Sequence, residues 1–336
     1  MLEGIDIHTH IFAPGWPDFA ARHGGDRWPR LEGDPAAGCR LFLGATFNRN
    51  LTPHAFDPDR RLEDMDRTKV ALQLLSPAPP TFCYWAPPAA GAEWHRMQND
   101  VIAGIVARHP RRFLGAGGLP LQAPDLAVKE LERVTALGFP AVEIAASVEG
   151  RDLDDQSLEP VWTAAADLGV AILVHPQAPI LGDGRFRKNN LTQVAGFPLE
   201  TALAMTRVIV GGVLERWPGI RWCFAHGGGA FPYILPRLDK GWHVVEQAHA
   251  AMPEPPSQYV RRVWIDSLTH SPRVLAFALE TFGSDRIVLG SDYPFKLGVD
   301  DPVAELDRLS LDPSVRRRLV VDNARDLLRL PVPTPV

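Results

Sequence analysis

The chain has 336 residues, 46% hydrophobic and 22% charged, an ordinary globular composition with enough length to bury a large core. A formal net charge of −5 gives no reason to expect nucleic acid or an anionic membrane as partner. Charge or proline interrupts every apolar run well short of a bilayer span, and "MLEGIDIHTH" lacks the basic and apolar regions of a secretory signal.

Along the chain a strand–helix alternation repeats eight times. Apolar or β-branched runs predict strands at 4–7, 70–75, 113–119, 141–144, 170–174, 220–225, 263–266 and 287–290. Helical patterns fall between them at 57–69, 93–109, 125–137, 158–168, 199–217, 231–248, 272–282 and 303–328, the last broken at Pro313. In "APDLAVKELERVTALG", Pro124 and Asp125 open a helix and Gly138 closes it. Short buried strands alternating with helices predict an α/β fold with a parallel sheet, and eight units in this length fit a (β/α)8 TIM barrel with its chemistry on the loops after the strands. Two long insertions are expected. Residues 11–56 follow strand 1 without a regular pattern, and "PQAPILGDGRFRKNNLTQ" follows strand 5; loops of that length are lids or substrate walls. No composition break marks a second domain, so one domain over 1–330 with a frayed tail at 331–336 is expected. Cys39, Cys83 and Cys223 lie apart without CxxC spacing and read as reduced thiols of a cytoplasmic protein.

Within that frame the polar residues at strand ends converge. Residues two apart on a strand share a face, so Asp6, His8 and His10 of "IDIHTH" are expected to point into the barrel mouth. "AILVHP" puts His175 at the end of strand 5, "CFAHGGG" puts His226 at the end of strand 6, and "VLGSDYP" puts Asp292 just after strand 8. Four imidazoles and a carboxylate at one end of a barrel make a site for one borderline-soft divalent ion, zinc first. His8 and His10 are thus read as metal ligands.

The same residues resemble the amidohydrolase superfamily. More narrowly, "IDIHTH", "PRRFLGAGGLPLQAPDLAVKELER", "GGVLERWPGIRWCFAHGGGAFPYILPRLDKGW" and "GSDYPF" resemble the 2-amino-3-carboxymuconate-6-semialdehyde decarboxylase family, over nearly the whole chain. The resemblance implies a mononuclear, usually zinc-dependent, non-oxidative carboxy-lyase working through metal-bound water. It implies His8, His10, His175 and Asp292 as ligands, His226 as the acid/base, and Asp292 beside it as a second catalytic group. It also places Arg49 of "FNRNLTPHAFDP", Phe295 of "GSDYPF" and Arg237 of "PYILPRLDKGW" at the substrate, Arg237 reaching across a homodimer interface. Guanidinium forks suit bidentate recognition of carboxylates. Relatives acting on aminocarboxymuconate semialdehyde carry tryptophans after the strand-5 histidine. "HPQAPILGDGRFRKNNLTQVAGFP" has none, which leaves the substrate as a muconate semialdehyde or a related aromatic or heteroaromatic carboxylic acid.

Other readings compete. A hydrolase or hydratase of the same superfamily, acting on a ring-cleavage product or lactone, can start from the same ligand set. "HGGGAF" also looks like the oxyanion loop of α/β-hydrolases, but no G-x-S-x-G stands in the chain, and Gly227–Gly229 read instead as room for close approach to the metal. No GxGxxG or GK[ST] loop supports a nucleotide. Glu143 stands at strand 4, where a binuclear hydrolase would carry a carboxylated lysine. His54, on the strand-1 insertion, is one further histidine that could visit the site.

Overall fold

The computed structural model describes residues 3–177, 184–186, 188–249 and 251–331. In chain order, β1 (Gly4–Ile11) precedes three short strands, β2 (Pro29–Asp34), β3 (Gly38–Leu43) and β4 (Thr46–Leu51). Then come β5 (Val70–Pro77), β6 (Phe113–Gly118), β7 (Ala141–Ala145), β8 (Ala171–His175), β9 (Arg221–Phe224), β10 (Val263–Asp266) and β11 (Ile287–Val288). β1 and β5 to β11 are the eight strands expected from sequence, and they pair in parallel in that order. The segment after β11 returns to β1: the Ile7 amide donates to Leu289 O (3.0 Å), the Asp292 amide to His8 O (2.9 Å) and the His10 amide to Tyr293 O (2.7 Å). The result is a (β/α)8 barrel.

Alternation along each strand sorts side chains into two layers. On β8, Ala171 and Leu173 face inward, while Ile172 and Val174 face the helices. Inside the barrel Ile5, Ile7, Leu74, Ala116, Leu173 and Val288 meet Ala324, Leu327 and Leu328 from the last helix, Asn323–Leu328. Full burial of each leucine, isoleucine or valine among them contributes on the order of 2 kcal/mol. The outer faces pack on the helices. Pro124–Ala136 buries Ala127, Glu130, Leu131 and Val134, the spacing of one helical stripe, and its proline stands in the first turn as the sequence predicts.

Two expectations need correction. Residues 11–56 are not patternless: they hold a short helix, Phe19–His23, and the antiparallel sheet β2–β3–β4. The strands escape notice because they are short and only half-buried, so they carry no clean alternation. The β3–β4 turn depends on Gly44, at φ +60°, where an added Cβ would sit 2.0 Å from Asp26 O. The predicted helix at 199–217 is two helices, Phe197–Val210 and Val213–Arg216, divided at Gly211–Gly212. The break expected at Pro313 is present: Pro302–Asp307 ends before it, and a helical run starts at Pro313 and continues through a wider turn at Arg318–Asp322 to Leu328. Of the second insertion, 178–183 and 187 lie outside the described residues, as do 332–336 of the tail.

Candidate metal centre and its cavity

Strand parity delivers most of the site. His175 continues the inward row Ala171–Leu173 of β8, Glu143 follows Ala141 on β7, and Asp266 follows Trp264 on β10. β1 is different. Ile5 and Ile7 occupy the barrel interior, so strict alternation would turn His8 outward. A register irregularity between Asp6 and Thr9 resets the strand and brings His8 and His10 to the site. Asp6 therefore does not share their face, contrary to the alternation expected from sequence. It accepts hydrogen bonds from Ser291 Oγ (2.5 Å) and the Ser291 amide (3.1 Å).

The rings gather closely: the His8–His10, His8–His175, His10–His175 and His175–His226 centroids are 5.1, 5.1, 5.0 and 4.9 Å apart. Asp292 Oδ1 lies 3.1 Å from His10 Nε2 and 3.6 Å from His8 Nε2, and Oδ2 lies 4.0 Å from His226 Nε2. Ligand-capable atoms of His8, His175, His226 and Asp292 fall within 4.8 Å of one another, as do those of His8, His10 and Glu143. His226 and Asp292 both adopt left-handed backbone conformations, φ 56° and 59°, the kind of local strain that recurs at functional sites. Beside them Gly229 lets the loop touch the start of the earlier helix Phe197–Val210: an added Cβ there would lie 2.1 Å from Pro198 O.

Hydrogen bonding fixes how the imidazoles are presented. His175 Nδ1 contacts Pro176 O at 2.7 Å, and a carbonyl only accepts, so Nδ1 carries the proton. His10 Nδ1 lies 3.1 Å from Ser76 Oγ, whose own proton goes to Thr9 O (2.9 Å), so Nδ1 is again the donor. His8 Nδ1 donates to Asp266 Oδ2 at 2.6 Å. Each ring thus turns Nε2 toward the centre. His8 Nε2, His10 Nε2, His175 Nε2 and Asp292 Oδ1 are all buried without a hydrogen-bond partner outside the cluster itself. Buried polar atoms are rarely left so, and four convergent ones fit a cation with N and O ligands.

Asp266 was not singled out in the sequence, although it ends a predicted strand as the other site residues do. It holds His8 and also accepts from the amides of His226 (2.9 Å), Gly227 (2.8 Å) and Leu268 (3.0 Å), so it shapes the loop as well as the ring. Ser76 had no sequence signal, because only the β1–β5 register sets it opposite His10.

The charges in the cluster act in opposite directions on its members. Burial works against ionisation of Asp292, yet His10 and His8 pull it down to about 2. Burial opposes the charge on His8, but Asp266, Asp292 and Glu143 push it up to about 9. His226 goes the other way: desolvation and the neighbouring His8 lower it to about 4, leaving a neutral imidazole at pH 7.

A cavity of about 1400 Å³ opens above the cluster, lined among others by Arg49, His175, His226, Asp292 and Phe295. Arg49, on β4, stands with Cζ 4.6 Å over the Phe295 ring and donates Nε to Asn48 Oδ1 (2.8 Å). Arg237 is not brought to the cavity of its own chain. It is exposed on helix Phe231–Val244, one turn beyond Tyr233, which lines the mouth. His54 is directed elsewhere, with Nε2 3.6 Å from Asp64 Oδ2. Among the described residues no helix is long and apolar enough to cross a membrane.

A family model described as amidohydrolase matches residues 5–330. The chain is 34% identical over 329 residues to 2-amino-3-carboxymuconate-6-semialdehyde decarboxylase of Dictyostelium discoideum, covering 97% of this chain and 91% of that protein. Among solved structures it is similar to 5-carboxyvanillate decarboxylase LigW from Sphingomonas paucimobilis, with TM-score 0.81, 25% identity, and 98% and 100% of the two chains covered. A dihydroxybenzoic acid decarboxylase from Polaromonas sp. JS666, solved with bound manganese and 2-nitroresorcinol, shares the fold at TM-score 0.79 and 24% identity, covering 98% and 97%. All three relatives are named as decarboxylases, that is, carboxy-lyases.

Proposed function

The chain belongs to the amidohydrolase family, and from that premise we propose that it is a metal-dependent, non-oxidative decarboxylase of a muconate-semialdehyde or related aromatic carboxylic acid. The observation that carries the proposal is the set of four buried, partnerless atoms, His8 Nε2, His10 Nε2, His175 Nε2 and Asp292 Oδ1, beneath a cavity that Arg49 enters. These four residues would hold one divalent ion, with zinc our first choice, in the cytoplasm, where the buried thiols of Cys39, Cys83 and Cys223 would stay reduced. When bound, the ion supplies Lewis-acid activation of water and positive charge beside the reacting carboxylate.

The residues of this chain do the rest. Arg49, with Nε tied to Asn48 and its guanidinium packed over the Phe295 ring, lines the cavity and would take a substrate carboxylate. His226 is neutral at pH 7 and sits across from Asp292, so it can accept a proton and return one to carbon. The reaction balances as loss of CO2 with the electrons of the broken C–C bond left on carbon, which then takes the proton. Arg237, exposed on its own chain, would complete the site of a second copy in a homodimer.

The test is a panel of carboxymuconate semialdehydes and hydroxylated aromatic acids turned over in D2O. We expect stoichiometric CO2 and one deuterium at the former carboxyl carbon. No CO2, with lactones or semialdehydes consumed and water incorporated, would establish the hydrolase reading instead.

A further inference from the structure

The barrel is thinnest where it closes. β11 has two residues, and the described residues place no strand ladder between it and β1; the three backbone hydrogen bonds to residues 289–293 given above, a bridge between Thr9 and Tyr293 and the two Asp6–Ser291 hydrogen bonds hold the seam. His8, His10 and Asp292 all flank this seam. Behind it, on the helix side, lies Arg61 from helix Pro58–Arg67, with 0% of its surface exposed. Its Nη2 donates to the His10 carbonyl, its Nη1 to Gln73 Oε1 on β5 (3.2 Å), and its Cζ stands 4.7 Å over the ring of Tyr293. Three residues further along the same helix, Asp64 Oδ2 accepts the Tyr293 hydroxyl at 2.8 Å. One helical face thus grips both edges of the seam.

Arg61 is an expensive way to fill that space. Burial lowers its pKa to about 10, so it is still a cation at neutral pH. Asp6 and Asp64 act on it from a distance, and among the described residues no carboxylate lies within 4.0 Å of its nitrogens. Its Nε has no partner either. Apolar side chains of similar volume commonly replace even buried ion pairs without loss of stability, and Arg61 lacks the pair. What an apolar side chain cannot do is hold a strand carbonyl, a β5 side chain and an aromatic face at fixed relative positions.

We propose that Arg61 is a positioning residue that sets His10 and Asp292 against one another for metal binding, by anchoring β1 and the segment after β11 to one helix. This rests on the metal-centre reading above, and the experiment separates the two.

The metal-loaded protein is prepared as wild type, Arg61→Lys and Gln73→Leu. Metal release to excess chelator is timed, the absorption spectrum of the Co2+-substituted protein is recorded, and kcat and KM are measured apart. Arg61→Lys keeps the charge but loses the fork. It should speed metal release about tenfold or more, shift the Co2+ ligand-field bands, and lower kcat with little change in KM. Gln73→Leu frees one arm of the guanidinium and should move the same readouts less far, and it serves alone if Arg61→Lys does not fold. Wild type that holds metal, with folded variants matching it in release rate and spectrum, overturns the role of Arg61 alone. Wild type that holds no divalent ion overturns the metal-centre reading and this proposal with it.

Discussion

His226 and Arg49 share a cavity but do different work, and substitution separates them. His226→Ala removes the proton carrier and should lower kcat by about 10²-fold or more, whereas Arg49→Ala should mainly raise KM. Equal losses in both constants for both variants would contradict those assignments. Glu200 gives a check through pH. It is 5% exposed, accepts from Ser147 Oγ at 2.9 Å, and is raised to about 7 by desolvation. Its folded pKa exceeds the ordinary value of 4.5, so the folded state binds more protons than the unfolded one between those values and stability falls as pH rises through them. Glu200→Gln keeps the acceptor without the charge, so its Tm should exceed that of wild type at pH 8 and match it near pH 4. Parallel Tm–pH curves for the two proteins would show that Glu200 titrates as an ordinary surface acid.

At the scale of elements, the barrel strands were legible because each is a short apolar run bounded by turn residues, and β7, β8 and β10 carry their inward alternation through to the site. The histidines and the aspartate were legible for the same reason: each stands at a strand end. What sequence concealed is what depends on register or on another element. Asp6 looked like a partner of His8 because the irregularity in β1 leaves no mark in "IDIHTH". Ser76 faces His10 only through strand pairing, and Arg237 does not line the metal-site cavity of its own chain. The β2–β4 sheet was hidden by half-burial, yet it carries Arg49, paired with Leu41 on β3. Gly44→Ala would force a left-handed alanine against Asp26 O, costing at least about 1 kcal/mol. We expect a lower Tm together with a raised KM, since the turn sets the strand that presents Arg49. A change in Tm with KM untouched would mean that the sheet does not position the arginine.

At the scale of the whole molecule, two claims reach beyond one chain's contacts. If Arg237 completes a neighbouring site, Arg237→Ala should leave Tm within about 1 °C of wild type while cutting turnover, because the side chain is exposed. Mixing Arg237→Ala with His226→Ala chains should then restore part of the activity, since a hybrid dimer holds one site with both residues intact. Full activity in a monomer by light scattering would rule this out. The central claim is that four partnerless atoms, His8 Nε2, His10 Nε2, His175 Nε2 and Asp292 Oδ1, hold the one ion on which decarboxylation depends. The direct measurement is to strip the purified protein of metal, titrate a divalent ion back, and follow CO2 release on the best substrate of the panel. The account predicts no CO2 from the stripped protein and activity rising linearly to a plateau at one equivalent per chain. It is contradicted by CO2 release from the stripped protein at the original rate.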